Sequence, residues 1–311
     1  MNHQEKVQHL YWRAGFGRNP AEWKTHAHQS LSTIINQLFT AAQSARELPT
    51  PHIFTANETE SMSDSNKKEQ RKKAKKLIIQ QNQDWIERMA NPDHPVLLEK
   101  MTLFWHGHFA CISKKPRLAS QQLQTIRQHA LGNFKDLVLA IAKDPAMIRF
   151  LNNQQNRKRK PNENFARELM ELFTIGRGNY TEQDIKEAAR AFTGWSSNLR
   201  GEFKFRKRHH DYGRKTFMGK TGNFGGEDII DILLERQETA QFITRKFYRY
   251  FVNEKVEERR VQALAAKFYR SNYDIAALMR EIFASDWFYA CLLYTSPSPR
   301  DRTRSRMPSS A

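Results

Sequence analysis

Three short runs in the chain carry residue types that do chemistry. The first is Phe104-Trp105-His106-Gly107-His108-Phe109. Imidazole is the commonest protein ligand for zinc-like metals, and two histidines two residues apart converge where a helix unwinds. Gly107 would permit that unwinding. On a continuous helix the two rings would point about 200° apart, one into the core and one to solvent.

The second run is Asn162-Glu-Asn-Phe-Ala-Arg-Glu-Leu-Met-Glu171. At α-helical spacing Asn164, Glu168 and Glu171 share one face, with Phe165, Leu169 and Leu172 on the adjoining one. Two carboxylates three residues apart can bind a cation or divide acid and base duties. Arg167 offers the plainer alternative of a surface ion pair. The apolar context of Met170 and Phe173 argues for partners, because a carboxylate away from water is costly unless paired.

The third is Arg208-His209-His210-Asp211-Tyr212-Gly213, in a turn beside further basic residues. An imidazole next to a carboxylate suits a metal, or a general base that the carboxylate orients. Arg206 and Arg208 would clamp an anionic substrate.

Together these runs predict one polar site built from His106, His108, Glu168, Glu171, His210 and Asp211. If a divalent metal is the cofactor, the expected activity is metal-assisted hydrolysis of an anionic or polymeric substrate. His106, His108 and Glu168 would be ligands, and the catalytic groups would come from Glu168, Glu171, His210 and Asp211. The rival is a non-enzymatic helical scaffold or binding module working with a partner protein, its histidines and carboxylates pairing to hold helices together. Nucleic-acid binding through basic runs is the third reading. Gly219-Lys220-Thr221 has the ending of a phosphate-binding loop, but Arg214 stands where that loop needs its first glycine.

The elements that must position these residues read as helices. Ser30 to Ala42 places Leu31, Ile34, Ile35, Leu38 and Phe39 on one face. Lys67 to Ala90 reads as a long helix, basic at its start and packing through Ile78, Ile79, Trp85, Ile86 and Met89. Pro95 opens the helix that carries His106 and His108. Helices follow at 121–130 and 134–142, from Pro161 to Gly176, and after the capping box Thr181-Glu-Gln-Asp184. Further helices are expected over 227–235, 238–252, 256–269 and 275–283. Strand character appears only between Gly194 and Phe217. The expected fold is mainly α: a single multi-helix domain over residues 1–290, with a polar, basic insertion at about 45–76 and a Gly-rich β-hairpin candidate around 194–226.

Composition narrows the classes. The 311 residues hold 51 Lys and Arg against 33 Asp and Glu, a formal charge of +18, concentrated in Lys67–Lys76, Arg157–Lys160 and Lys204–Arg208. Twenty Phe are too many for wholesale disorder. Two cysteines cannot make a disulfide framework or a cysteine zinc site by themselves. No apolar run reaches the roughly 18–20 residues of a membrane span, and the first residues lack the apolar stretch of a secretory signal. From Cys291 the composition changes abruptly to a stretch rich in Pro, Ser and Arg. Cys291 to Asp301 resembles the translation of a transposase adapter, so 291–311 is expected to be a non-native, disordered tail.

The chain also resembles a bacterial family known as domain of unknown function 1800. The resemblance is carried by His9-Leu-Tyr-Trp-Arg-Ala-Gly-Phe-Gly17, Glu99-Lys-Met-Thr-Leu-Phe-Trp-His-Gly-His-Phe109 and Arg127-Gln-His-Ala-Leu-Gly-Asn-Phe134. It continues through Pro161 to Phe173, Ala191-Phe-Thr-Gly-Trp195, His210-Asp211 and Lys215-Thr-Phe-Met-Gly219. It implies no activity. It implies a longer native chain, export for many members, and a partner protein resembling sulfatases. It leaves Lys67–Lys76 in a variable insertion, which weakens the nucleic-acid reading, and it leaves the compartment open.

Overall fold

A computed structural model describes residues 1–17, 26, 28–45, 47–48, 64–198 and 200–290. The adapter-like segment 291–311 and most of the expected polar loop at 45–66 lie outside the described residues.

Fourteen α-helices and two small hairpins make up the regular structure among the described residues. Helices α1 (His3–Ala14), α2 (Leu31–Gln43), α3 (Asp64–Ala90), α4 (Val96–His108), α5 (Pro116–His129), α6 (Phe134–Ala142) and α7 (Pro145–Phe150) come first. Helix α8 (Asn164–Glu168) runs on into a π-helical turn over Leu169–Phe173, and α9 (Glu182–Ala191) follows. Strands β1 (Trp195–Ser197) and β2 (Phe203–Phe205) pair antiparallel, as do β3 (Lys215–Phe217) and β4 (Lys220–Gly222). Next come α10 (Gly226–Leu234), α11 (Gln237–Phe247) with a second π turn over Tyr248–Val252, α12 (Glu258–Arg270), α13 (Ile275–Ala284) and α14 (Asp286–Ala290).

Local chemistry sets several boundaries. Thr181 and Asp184 form the expected capping box at the start of α9, each side chain accepting from the other's backbone N–H. Asp184 also accepts from Met218 N–H at 2.8 Å, which ties α9 to the turn between β3 and β4. That turn puts both Met218 and Gly219 at positive φ, the conformation a tight hairpin demands. The strand segment is therefore two separate hairpins, and the second extends past Phe217.

One hydrophobic cluster runs from Val7 to Tyr289. At its centre Trp105 stacks between Phe109 and Phe134 and donates its indole N–H to the Ala130 carbonyl at 2.9 Å. A buried ion pair ties the helices around it: Glu99 accepts from Arg127 Nε at 2.9 Å and from Trp85 Nε1 at 3.0 Å. That network joins α3, α4 and α5. Helix α3 packs differently from expectation, because only Trp85 of its predicted contact residues is buried, and Ile79 and Ile86 are exposed.

Candidate functional site

The two histidines of the first run part company. Helix α4 is continuous through His108, so Gly107 does not unwind it. His106 is exposed and sets its ring edge against Trp85, with centroids 5.4 Å apart. His108 is buried, its Nε2 lying 3.1 Å from the Phe173 carbonyl and its Nδ1 3.1 Å from Lys246 Nζ. A carbonyl can only accept, so Nε2 carries the ring proton and Nδ1 accepts from the lysine. Burial first, and then the Lys246 charge, hold the His108 pKa well below the usual imidazole value.

The two glutamates do come together. Glu171 pairs with Arg177 and accepts from the Tyr180 hydroxyl at 3.1 Å. Glu168 is half-buried, and no hydrogen bond reaches its carboxylate among the described residues. Burial, with the Glu171 charge adding to it, raises the Glu168 pKa; Arg177 and Arg167 oppose the rise. Arg167 itself forks onto Glu182 through both terminal nitrogens at 2.9 Å. The π turn that begins at Leu169 shifts the register, so Leu172 faces solvent instead of sharing a buried face with Phe165 and Leu169.

His210 and Asp211 are held by α9 and by Thr193 just beyond its end. The His210 Nδ1 donates to the Thr193 carbonyl at 2.8 Å, and burial lowers its pKa. The Arg190 guanidinium, 2.7 Å from the Asp211 carboxylate through Nε, holds that carboxyl below the usual range. Glu187 accepts from the same arginine. Lys215 is almost fully buried and donates to the carbonyls of Asp211 and Gly213 at 2.6 and 3.0 Å. These contacts dock the loop before β3 onto α9.

His106 and His108 thus face apart, Glu168 and Glu171 are neighbours, and His210 and Asp211 are held by Thr193 and Arg190. Among the described residues no three His, Cys, Asp or Glu side chains are placed to share a metal ion. The donor set expected for a divalent metal does not fit one as a set.

A different arrangement brings functional side chains together. Arg157, Lys158, Arg159 and Lys160 form a tight turn closed by Arg157–Lys160 backbone bonds. The loop holding Arg208 and His209 lies against it, because Lys158 N–H donates to the His209 carbonyl at 2.8 Å. Gly194 links the two loops: its N–H donates to the Asn156 carbonyl at 3.0 Å and its carbonyl accepts from Arg206 N–H at 2.8 Å. Its φ is +82°, and a Cβ there would sit 2.8 Å from the Arg206 oxygen, so only glycine suits the position.

Between these loops lies a cleft of about 790 Å³. It is lined by the four basic residues of the turn, Arg208 and His209, with Gln155, Pro161 and Asn162 completing the wall. Among the described residues, no carboxylate and no Phe, Tyr or Trp lines it. The five Arg and Lys side chains are exposed and, among the described residues, none has an ion-pair partner. Arg208 is where an anion clamp was expected; Arg206 is not part of the lining and contributes through its backbone.

Residues that sequence reasoning passed over include Arg190, Glu99, Lys246 and the turn 157–160 as a site component. The run of four cations before Pro161 was a visible signal for the last; the others carried none that distinguishes them from ordinary helix residues.

Among families of known proteins, residues 9–309 match the model described as a protein of unknown function, DUF1800. No curated protein and no solved structure matches the chain.

Proposed function

The chain belongs to the DUF1800 family, and from that premise we propose that it is a binding module for an anionic polymer, held in the basic cleft by its phosphate or sulfate groups. One observation carries this reading: five exposed cations line a single cleft that, among the described residues, has no carboxylate in its lining. Like charges about 4 Å apart repel by roughly 1–4 kcal/mol, depending on how much water screens them. The fold adds Arg208 to the four consecutive cations of the turn, a charge density that a polyanion relieves. Arginine forks suit the bidentate geometry of phosphate and sulfate.

The lining also speaks to the class of polymer. Single-strand nucleic-acid sites use aromatic rings as stacking platforms, and among the described lining residues the one aromatic ring is that of His209. Recognition through the charged groups, without the bases, is what this composition supports. The sulfatase-like partner implied by the family resemblance belongs to the same proposal, as a protein drawing on a polymer held in the cleft.

A second, hydrolytic reading keeps one specific observation. Glu168 is a half-buried carboxyl whose pKa is raised by burial and by the neighbouring Glu171, which is the condition of a general acid. No step through a metal is drawn, since the donors do not fit one.

The test is a titration of the full chain with fluorescent inorganic polyphosphate, beside a single-stranded oligonucleotide of equal charge. The Arg157→Gln/Arg208→Gln pair is expected to lose at least about tenfold in polyphosphate affinity with an unchanged melting temperature. Equal affinity of variant and parent, or preference for the oligonucleotide, would contradict the proposal.

A further inference from the structure

Lys246 sits in the last turn of α11, and its amine is surrounded by acceptors that carry no charge. Nζ lies 2.9 Å from the Leu172 carbonyl and 3.1 Å from His108 Nδ1. The face of Phe242 lies 4.5 Å away. Among the described residues no carboxylate pairs with it: Glu171 is taken by Arg177, and Glu258 by Arg245 on the same helix. A cation partly removed from water ordinarily has an anion beside it. This one has two neutral acceptors and an aromatic face.

The protonation states follow from the geometry. His108 Nε2 must donate to the Phe173 carbonyl, so Nδ1 offers a lone pair and His108 is neutral. A neutral amine has two N–H groups, which match the two acceptors, and one remaining lone pair. Burial pushes the Lys246 pKa down to about 8, so a substantial share of amine is uncharged in mildly alkaline solution. The Phe242 face favours the cation and opposes a further fall.

The backbone explains how the amine reaches this place. Both π turns among the described residues adjoin it: Leu172 and Phe173 end the first, and Tyr248 begins the second two residues after Lys246. Gly176, at φ +79°, lets the chain after the first π turn pass against α11, where a Cβ would lie 2.7 Å from Phe242. The side chain is only partly buried, so a small molecule can reach it.

We propose that Lys246 is a reactive-amine site for compounds with an electrophilic carbonyl carbon, with His108 as the residue that positions the amine. The Nζ lone pair forms a C–N bond as the carbonyl π pair moves to oxygen. Both amine hydrogens leave with that oxygen as water, and an imine remains. Partial removal of a lysine amine from water, with no anion to hold its proton, favours the nucleophilic free amine. The site is separate from the basic cleft and does not depend on it.

The test uses the full chain, substoichiometric benzaldehyde at pH 8, trapping with borohydride, and peptide mass spectrometry. Lys246 is expected to be labelled at least ten times faster than the exposed Lys72 and Lys75, with a rate that levels off above about pH 8. Lys246→Arg should abolish that label while leaving polyphosphate binding unchanged. Labelling of Lys246 no faster than of Lys72 and Lys75 would overturn the proposal, and that comparison needs no variant.

Discussion

The backbone N–H of Lys158 donates to the carbonyl of His209 at 2.8 Å. That bond brings together two basic runs far apart in the chain, and the cleft between them exists because of it. The side chains supply the charge, while Gly194, bonded to both loops, supplies the approach.

Gly194→Ala should therefore disturb both stability and binding. An L-residue in the left-handed region costs roughly 1–2 kcal/mol, and the added Cβ would press on the Arg206 carbonyl, a backbone atom with little freedom to move. Urea unfolding is expected to show a loss of about 2 kcal/mol or more, with weaker polyphosphate binding alongside. A variant as stable as the parent would show that the two loops are not held by this contact.

Glu99 is the test of the core. Its carboxylate is fully buried and takes hydrogen bonds from Arg127 and Trp85. Glu99→Ala leaves the Arg127 charge buried beside a cavity, and such losses run to about 3–5 kcal/mol. Trp85→Phe removes one hydrogen bond to the buried carboxylate and keeps most of the packing, for a cost of about 1.5–3 kcal/mol. Denaturant melts of the two variants should rank in that order; similar small losses from both would mean that the ion pair contributes little.

Two buried groups give stability opposite pH dependences. Burial, with help from the Arg13 charge, lowers the His9 pKa to about 4 from its ordinary 6.5. The unfolded chain binds that proton first, so this contribution is full above pH 6.5 and is lost as pH falls toward 4. Asp144 goes the other way, because burial raises it from 3.8 to about 6 against the pull of two backbone N–H groups. Here the folded chain binds the proton first, so stability falls as pH rises from about 4 to 6. Each shift corresponds to roughly 3 kcal/mol. His9→Leu should make the chain lose less stability on acidification than the parent does. Asp144→Asn should gain on its parent as pH rises through the same window. Stability curves that run parallel to the parent's in both variants would contradict these assignments.

Much of the fold was legible because its causes are local. The Thr181–Asp184 box, the apolar face of Leu31–Gln43 and the hairpin character around 194–226 each rest on neighbours in sequence. The site was less legible, for reasons that can be named. The fate of His106 and His108 depended on whether the helix opened at Gly107, and the surrounding Phe104, Trp105 and Phe109 packing keeps it closed. The π turn at Leu169–Phe173 leaves no mark in a period-3.6 pattern, so Leu172 was placed on the wrong face. His210 and Asp211 looked free for chemistry because their partners, Thr193 and Arg190, lie some twenty residues back in the chain, at and just beyond the end of α9. The basic runs were visible as charge, but their meeting depends on a glycine between them.

The central claim is that the cleft binds polyanions through its cations, and the salt dependence of polyphosphate affinity tests it most directly. Each neutralised phosphate contributes about 0.7–0.9 to the slope of log affinity against log salt. With most of the five cleft cations engaged, the parent should fall with a slope of about −3 to −4, and Arg208→Gln should reduce its magnitude by about one. A slope near zero, or one that Arg208→Gln leaves unchanged, would contradict the account.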